Sequence, residues 1–354
     1  MRKTITSLTA LCLLCLLTAA CSNSDGFTPT PSDETRIITF GMDYAERMTS
    51  RATSDTYEAY DASKHPSSMG VYGLNDIFSN QEVTYANDEW TYTPLKYWNA
   101  YTSLSSFDFF AYMPQSTAAT LTPTTAGATD YTLSYPVSIS GGFITDSRNV
   151  PLICALPNHQ TTTGNTVSFK MDQVLGGYTV EFKLDDQMDK IRDFVIKAVK
   201  VYGTVATSGK VSRTYSWNGS AWTAGDVTWS NITTTSITEA NAISVYAAAD
   251  QTLTLNGDKT DYQAWQGTFF GIPDTFHPFS LQVTYDVTVD EDGDTDGSHA
   301  VTRQGVVNTL AISSDNFSGI TQAIDKIGKL QILIKPNYLY VLADDDQKGF
   351  VIVN

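Results

Sequence analysis

Leu281-Gln282-Val283-Thr284-Tyr285-Asp286-Val287-Thr288-Val289 alternates apolar and polar side chains without a break. Successive side chains of a strand point to opposite faces, so this period of two describes a strand with one dry and one wet face. The same reading extends outward to Tyr178-Thr179-Val180-Glu181-Phe182-Lys183-Leu184 and to Ile37-Ile38-Thr39-Phe40. Tyrosine, threonine, valine and phenylalanine, which suit a pleated surface, are abundant throughout. Asn218-Gly219, between Thr214-Tyr215-Ser216-Trp217 and Ala221-Trp222-Thr223, predicts a hairpin with a two-residue turn. Asn256-Gly257 after Leu253-Thr254-Leu255 is a weaker signal, because Asp258 to Asp261 is polar throughout. Only two stretches favour helix. Gln187 to Ile191 suits a short turn, and Phe317, Ile320, Ile324 and Ile327 recur at helical spacing near Asn316 to Lys329. The expected class is all-β.

The start of the chain does not belong to the fold. Arg2 and Lys3 precede an apolar run from Leu8 to Leu17, and Thr18-Ala19-Ala20 gives small residues before Cys21. That is a secretory signal over residues 1–20, too short to span a membrane. The small residues before Cys21 resemble a bacterial lipobox, which makes Cys21 the candidate lipidated N-terminus; the alternative is an ordinary signal peptide cut near Ala20. Residues 21–35, with Pro29 and Pro31, suit a flexible tether. Cys12 and Cys15 leave with the leader and Cys21 carries lipid, so of four cysteines only Cys154 remains. One thiol makes no internal disulfide, and core burial has to stabilise the fold. The 354 residues suffice for two cores. The Thr/Gly-rich stretch Gln160 to Gly164 marks the expected boundary between an N-terminal β-sandwich domain, 36–164, and a C-terminal one, 165–354.

Several chemistries find no support. The formal charge of −16 repels nucleic acid, whose phosphates need clustered lysine and arginine. Asp292-Gly293-Asp294-Thr295-Asp296-Gly297 copies the opening of an EF-hand loop, but Arg303 stands where a bidentate glutamate belongs, and strands flank it. An acidic hairpin tip is expected there, with calcium binding left open. His65, His159, His277 and His299 show no close ligand spacing and read as loop or surface residues. G-x-S-x-G, G-x-G-x-x-G and P-loop sequences do not occur. Paired glycosidase carboxylates meet only in a fold, and no pair is indicated. No catalytic residue, metal ligand or cofactor is therefore expected. Trp217, Trp222, Trp229 and Trp265 read either as a sugar-stacking platform or, more simply, as core and cross-strand residues.

Trp98, followed by Leu104-Ser105-Ser106-Phe107-Asp108-Phe109-Phe110-Ala111-Tyr112-Met113-Pro114, resembles the tryptophan and FFAYxP strand of the fimbrillin-like proteins of Bacteroidetes. Ile37 to Phe40, Thr49-Ser50-Arg51-Ala52 and Met69-Gly70-Val71-Tyr72-Gly73 follow the opening order of that family. Val150-Pro151-Leu152-Ile153-Cys154-Ala155 stands where its members carry Asp-Leu-Leu-x-Ala. Val167-Ser168-Phe169-Lys170-Met171 followed by Tyr178 to Phe182 resembles the pair opening its second domain, although Met171 replaces the usual histidine. Gly328 to Ile334 looks like its closing strand.

The resemblance implies two tandem transthyretin-like Greek-key β-sandwich domains on an outer-membrane lipoprotein at the cell surface. It further implies a trypsin-like processing protease that cuts after a basic residue near the N-terminus, removing the first strand of the first domain. A strand of another fimbrial subunit then fills the seat by β-strand addition. Here the removable strand would be Arg36 to Tyr44 and the cut would follow Arg51, or else Arg47, within the polar run Ala45 to Thr56. The alternative is that both arginines are uncut loop residues. Tyr338-Leu339-Tyr340-Val341-Leu342 and Phe350-Val351-Ile352-Val353 are candidate donor segments, or else strands completing the second sandwich. A stalk subunit is the leading reading. The alternatives are an adhesive tip or anchor subunit and a surface glycan-binding lipoprotein.

Overall fold

The computed structural model describes residues 37–45, 57–125, 129–185, 192–245, 251–256, 261–273, 279–290, 300–312 and 327–334. Strands dominate them. The first are β1 (Phe40–Ala45), β2 (Tyr57–Ala59), β3 (Ser68–Gly73), β4 (Phe78–Ala86), β5 (Glu89–Thr91), β6 (Phe107–Met113) and β7 (Thr120–Pro123). Next come β8 (Asp130–Ser138), β9 (Leu152–Cys154), β10 (Asn158–Gln160), β11 (Val167–Gln173), β12 (Gly176–Leu184) and the 26-residue β13 (Arg192–Trp217). The rest are β14 (Trp222–Ala224), β15 (Thr228–Ile237), β16 (Ile243–Ser244), β17 (Leu253–Leu255), β18 (Gln263–Gly271), β19 (Phe279–Asp290), β20 (Ala300–Ile312) and β21 (Ile327–Ile334).

These strands form three sheets. One runs β2-β1-β11-β9-β6-β3-β4-β5, with β10 also on β6; a second runs β18-β12-β21; the third runs β20-β19-β13-β8-β7, with β14 to β17 on β13. Two cores result. In the first, Phe109, Phe110, Ile153 and Phe169 from the first sheet meet Leu133, Tyr135 and Tyr215 from the third. Edge-on rings such as Phe110 against Tyr215, 5.4 Å apart, join the layers. In the second core, Tyr178, Val180, Phe182 and Phe269 meet Phe194, Val199, Phe279 and Leu281. The architecture is all-β sandwich, as the alternation requires.

β13 belongs to both cores. Its first half pairs with β19 from Arg192 to Gly203, and its second half pairs with β8 from Ser208 to Ser216. Gly203, at φ +137°, lies between the halves in a backbone conformation that other residues rarely adopt. The division between cores therefore departs from the expected boundary at 164/165. β11 lies beyond that point in sequence, yet it pairs with β1 and β9 and fills the first core; the chain changes core between β11 and β12. The stretch around Gly164 is a surface connection inside one sandwich. Thr/Gly-rich composition marks any exposed connection, within a domain or between domains.

Other expectations can be placed. β19 and β12 lie where alternation put them, but β12 is buried on both faces except at Thr179 and Lys183. Glu181 is covered because Lys329 Nζ and Gln331 Nε2 of β21 reach it at 2.7 and 3.0 Å. The Asn218-Gly219 turn closes a hairpin, with Trp217 opposite Trp222, so its loop has four residues instead of two. The Asn218 side chain takes the amides of Ser220 and Ala221, which stabilises the longer loop. β17 pairs with β13. Ile327 to Lys329, expected at the end of a helix, begin β21 and pair parallel with Gly177 to Thr179. Apolar spacing of three and four could not anticipate a waiting sheet edge. Gln187 to Ile191, Gly257, His277, the 292–297 acidic stretch, His299, residues 313–326 and both candidate donor segments lie outside the described residues.

Cys154 sits at the centre of the first sandwich. Tyr215 donates its hydroxyl to the Cys154 carbonyl at 2.6 Å, and Tyr135 donates to the Leu152 carbonyl at 2.9 Å, so two buried phenols tie β9 to the third sheet. Burial pushes the thiol up to about 11, partly offset by the Ala111 amide and the Tyr215 hydroxyl. At pH 8 the folded thiol should react with iodoacetamide at least about 100-fold more slowly than in denaturant, as read by mass spectrometry. Comparable rates would show that the core is open.

Candidate functional site

The first strand carries the features that the sequence singled out. Ile38, Phe40, Met42 and Tyr44 are 0, 6, 6 and 5% exposed, whereas the residues between them face outward. β1 pairs parallel with β11 from Phe40 opposite Val167 to Tyr44 opposite Met171. On its other side it pairs antiparallel with β2, Asp43 opposite Ala59 and Ala45 opposite Tyr57. Period-two burial follows from this position: one face of β1 closes the first core, and the other is wet.

The seat is built of aromatic rings. Phe40 lies 5.5 Å from Phe78, 5.4 Å from Tyr92 and 6.3 Å from Phe169. Upstream, Ile38 donates its amide to the Lys96 carbonyl at 3.0 Å, and Ile37 bridges Tyr97. The Tyr92 hydroxyl donates to the Ile38 carbonyl at 2.9 Å and accepts the Lys96 amide at 3.2 Å. Lys96 in turn reaches the Ile77 carbonyl and lies 5.1 Å from the Phe78 ring centre. The Val167 amide donates to the Thr39 carbonyl at 2.8 Å. At Gly41 a Cβ would stand 3.0 Å from Ser168 Oγ, so a small residue is favoured there. At the far end the Tyr44 hydroxyl donates to Glu58 at 2.8 Å, and its ring centre lies 3.8 Å from that of His65.

His65 occupies a loop and is buried there, with its ring against Tyr44 of β1. His159 lies on β10 with Nδ1 2.7 Å from Asp108 Oδ1, which also accepts from Trp222 Nε1 at 2.6 Å. Of the four tryptophans, Trp217 and Trp222 adjoin at 5.4 Å. Trp229 donates to the Val174 carbonyl, and Trp265 is buried in the second core against the Val245 carbonyl. The four form no single platform. Arg47 and Arg51 follow β1 and precede β2 in the chain; they and Cys21 lie outside the described residues. Tyr92 and Phe78, which hold β1, have no place in the sequence reading, and Phe169 enters it only as part of a strand, because all three meet Phe40 from 38 or more positions away with no local pattern.

No protein-family model matches the chain, and no curated protein does. Solved structures do. One, provisionally described as a cell adhesion protein from Bacteroides uniformis, shares 16% identity over 79% of this chain and 99% of its own, at a TM-score of 0.35. Another of the same provisional description, from Bacteroides ovatus, shares 11% over 84% of this chain and 92% of its own, at 0.40. A fimbrial protein from Bacteroides ovatus shares 11% over 90% of this chain and 50% of its own, also at 0.40.

Two outcomes test this seat. Phe40→Ala should weaken docking of β1 by about 3–5 kcal/mol, read as faster hydrogen exchange of Gly41 to Ala45. Burial pushes Tyr92 up to about 12. A value raised by folding means stability that is complete below the ordinary 10.0 and is lost as pH rises through the folded value. Protection of β1 should therefore fall between about pH 10 and 12, and Tyr92→Phe should flatten that part of the profile.

Proposed function

We propose that the chain is a surface subunit of a bacterial fimbria, built of two transthyretin-like sandwiches, that assembles by exchange of its first strand and performs no catalysis. The alternate burial of Ile38, Phe40, Met42 and Tyr44 carries this reading. Fully burying side chains of this kind contributes about 1.5–3 kcal/mol each, so vacating the seat costs on the order of 6–12 kcal/mol. An unpaired β11 ladder adds to that cost. While β1 stays covalently attached, no free strand competes with it; a cut after Arg51 or Arg47 turns it into a separate ligand. The same cut separates the body from Cys21, the proposed lipid attachment to the outer membrane. The description of one similar structure as a fimbrial protein and of others as provisional adhesion proteins agrees with this reading.

Trypsin treatment of the purified lipoprotein should yield a new N-terminus just after Arg51 or Arg47, followed by an SDS-resistant ladder. Cleavage without a ladder would favour a tip or anchor subunit. An intact β1 after prolonged digestion would end the exchange mechanism.

A further inference from the structure

β2 raises a separate question. Among the described residues its three residues pair by backbone with β1 alone, so backbone pairing by itself would not hold it once β1 is lost. Its side-chain contacts would hold it. The Tyr57 hydroxyl donates to Asp172 Oδ1 at 2.8 Å, and Lys170 Nζ lies 5.0 Å from the Tyr57 ring centre. Asp172 is itself held by Arg213 Nη1 at 2.6 Å, from the opposite sheet. Just past β2, Tyr60 packs 4.6 Å from Tyr85 and 4.9 Å from Trp90, and donates to the Pro66 carbonyl at 2.9 Å. None of these partners lies on β1.

We propose that the seat of β1 is a slot walled on both edges, whose second wall, β2, is anchored to the body independently of β1. Its ligand is an extended strand of a second copy of this chain, running parallel to β11 and antiparallel to β2. This deepens the assembly reading and rests on it for the identity of the ligand. Arg47 and Arg51 both precede Tyr57, so β2 stays with the body after either cut. Neighbouring strands stand about 4.8 Å apart, which leaves β2 and β11 about 9.6 Å apart, the width of one strand. The slot also specifies its entrant. The positions of Ile38 and Met42 take aliphatic or thioether groups. The ring-lined position of Phe40 takes an aromatic one. The position opposite Ser168 takes a small residue, and Glu58 meets a hydrogen-bond donor where Tyr44 now lies. An open sheet edge would accept strands by backbone pairing alone; a slot requires the whole pattern to fit between two walls.

Hydrogen exchange on the intact chain tests the wall without requiring assembly. Tyr57→Ala should accelerate the amides of Asp43 to Ala45 that face β2 by about tenfold, and Tyr57→Phe, which keeps the ring over Lys170, by about threefold. Ile38 to Gly41, walled by β11 and Lys96, should change less than about twofold. Unchanged exchange at Asp43 to Ala45 in both variants would overturn the slot. If Tyr57→Ala also loosens β19, the phenylalanine variant decides. The trypsin ladder is read separately: an exchange response without a ladder keeps the wall but removes a second copy of this chain as its entrant, and a ladder without the response overturns the wall and keeps the assembly reading.

Discussion

Parallel pairing of β1 with β11 is the constraint on which the candidate site depends. Parallel strands cannot be joined by a tight hairpin, so their partners come from distant parts of the chain. Here the strands of most of the first sheet intervene between Ala45 and Val167. The seat is thus made wholly of later sequence: the β11 ladder, the Tyr92 to Tyr97 segment, and the rings of Phe78 and Phe169. Strand and seat thus come from separate stretches of the chain. What holds them together is two short ladders, one to β11 and one to β2, the hydrogen bonds of Ile38 to Lys96 and Tyr92, and four buried side chains.

The body around the seat has its own fastenings. Tyr135 and Tyr215 clamp β9 to the third sheet through backbone carbonyls, and Arg213 reaches across to the Cys154 carbonyl and to Asp172. Hydrogen bonds in such buried surroundings are costly to break, because each would leave a polar group without a partner. β13 extends this fastening into the second core, where its first half lies between β19 and the short strands β16 and β17. A seat supported in this way is held in shape by the body, and a site held in shape loses less entropy when it binds.

The second core repeats the device at the other end of the described chain. β21 pairs parallel with β12 as β1 does with β11, again with alternate residues, Leu330, Ile332 and Ile334, buried. β11 and β12 are nearly continuous, separated by Val174 and Leu175, so one stretch of chain supplies a parallel ladder to each core. This explains why the first-core strand β11 read as the opening of a second domain. It adjoins β12 in sequence, and only pairing distinguishes them.

The all-β class, the alternation at Ile37 to Phe40 that leads into β1, and the hairpin at Asn218 were legible in the sequence, because side-chain alternation and turn chemistry act between neighbouring residues. The division between cores, the sharing of β13, the burial of Glu181 and His65, and the aromatic box around Phe40 were decided by tertiary structure. Each depends on which distant strand supplies the facing surface, and a period of two is satisfied equally well by any dry face the chain can find. The same holds for β2: three residues carry no readable pattern, and only the fold brings Tyr57 to Asp172.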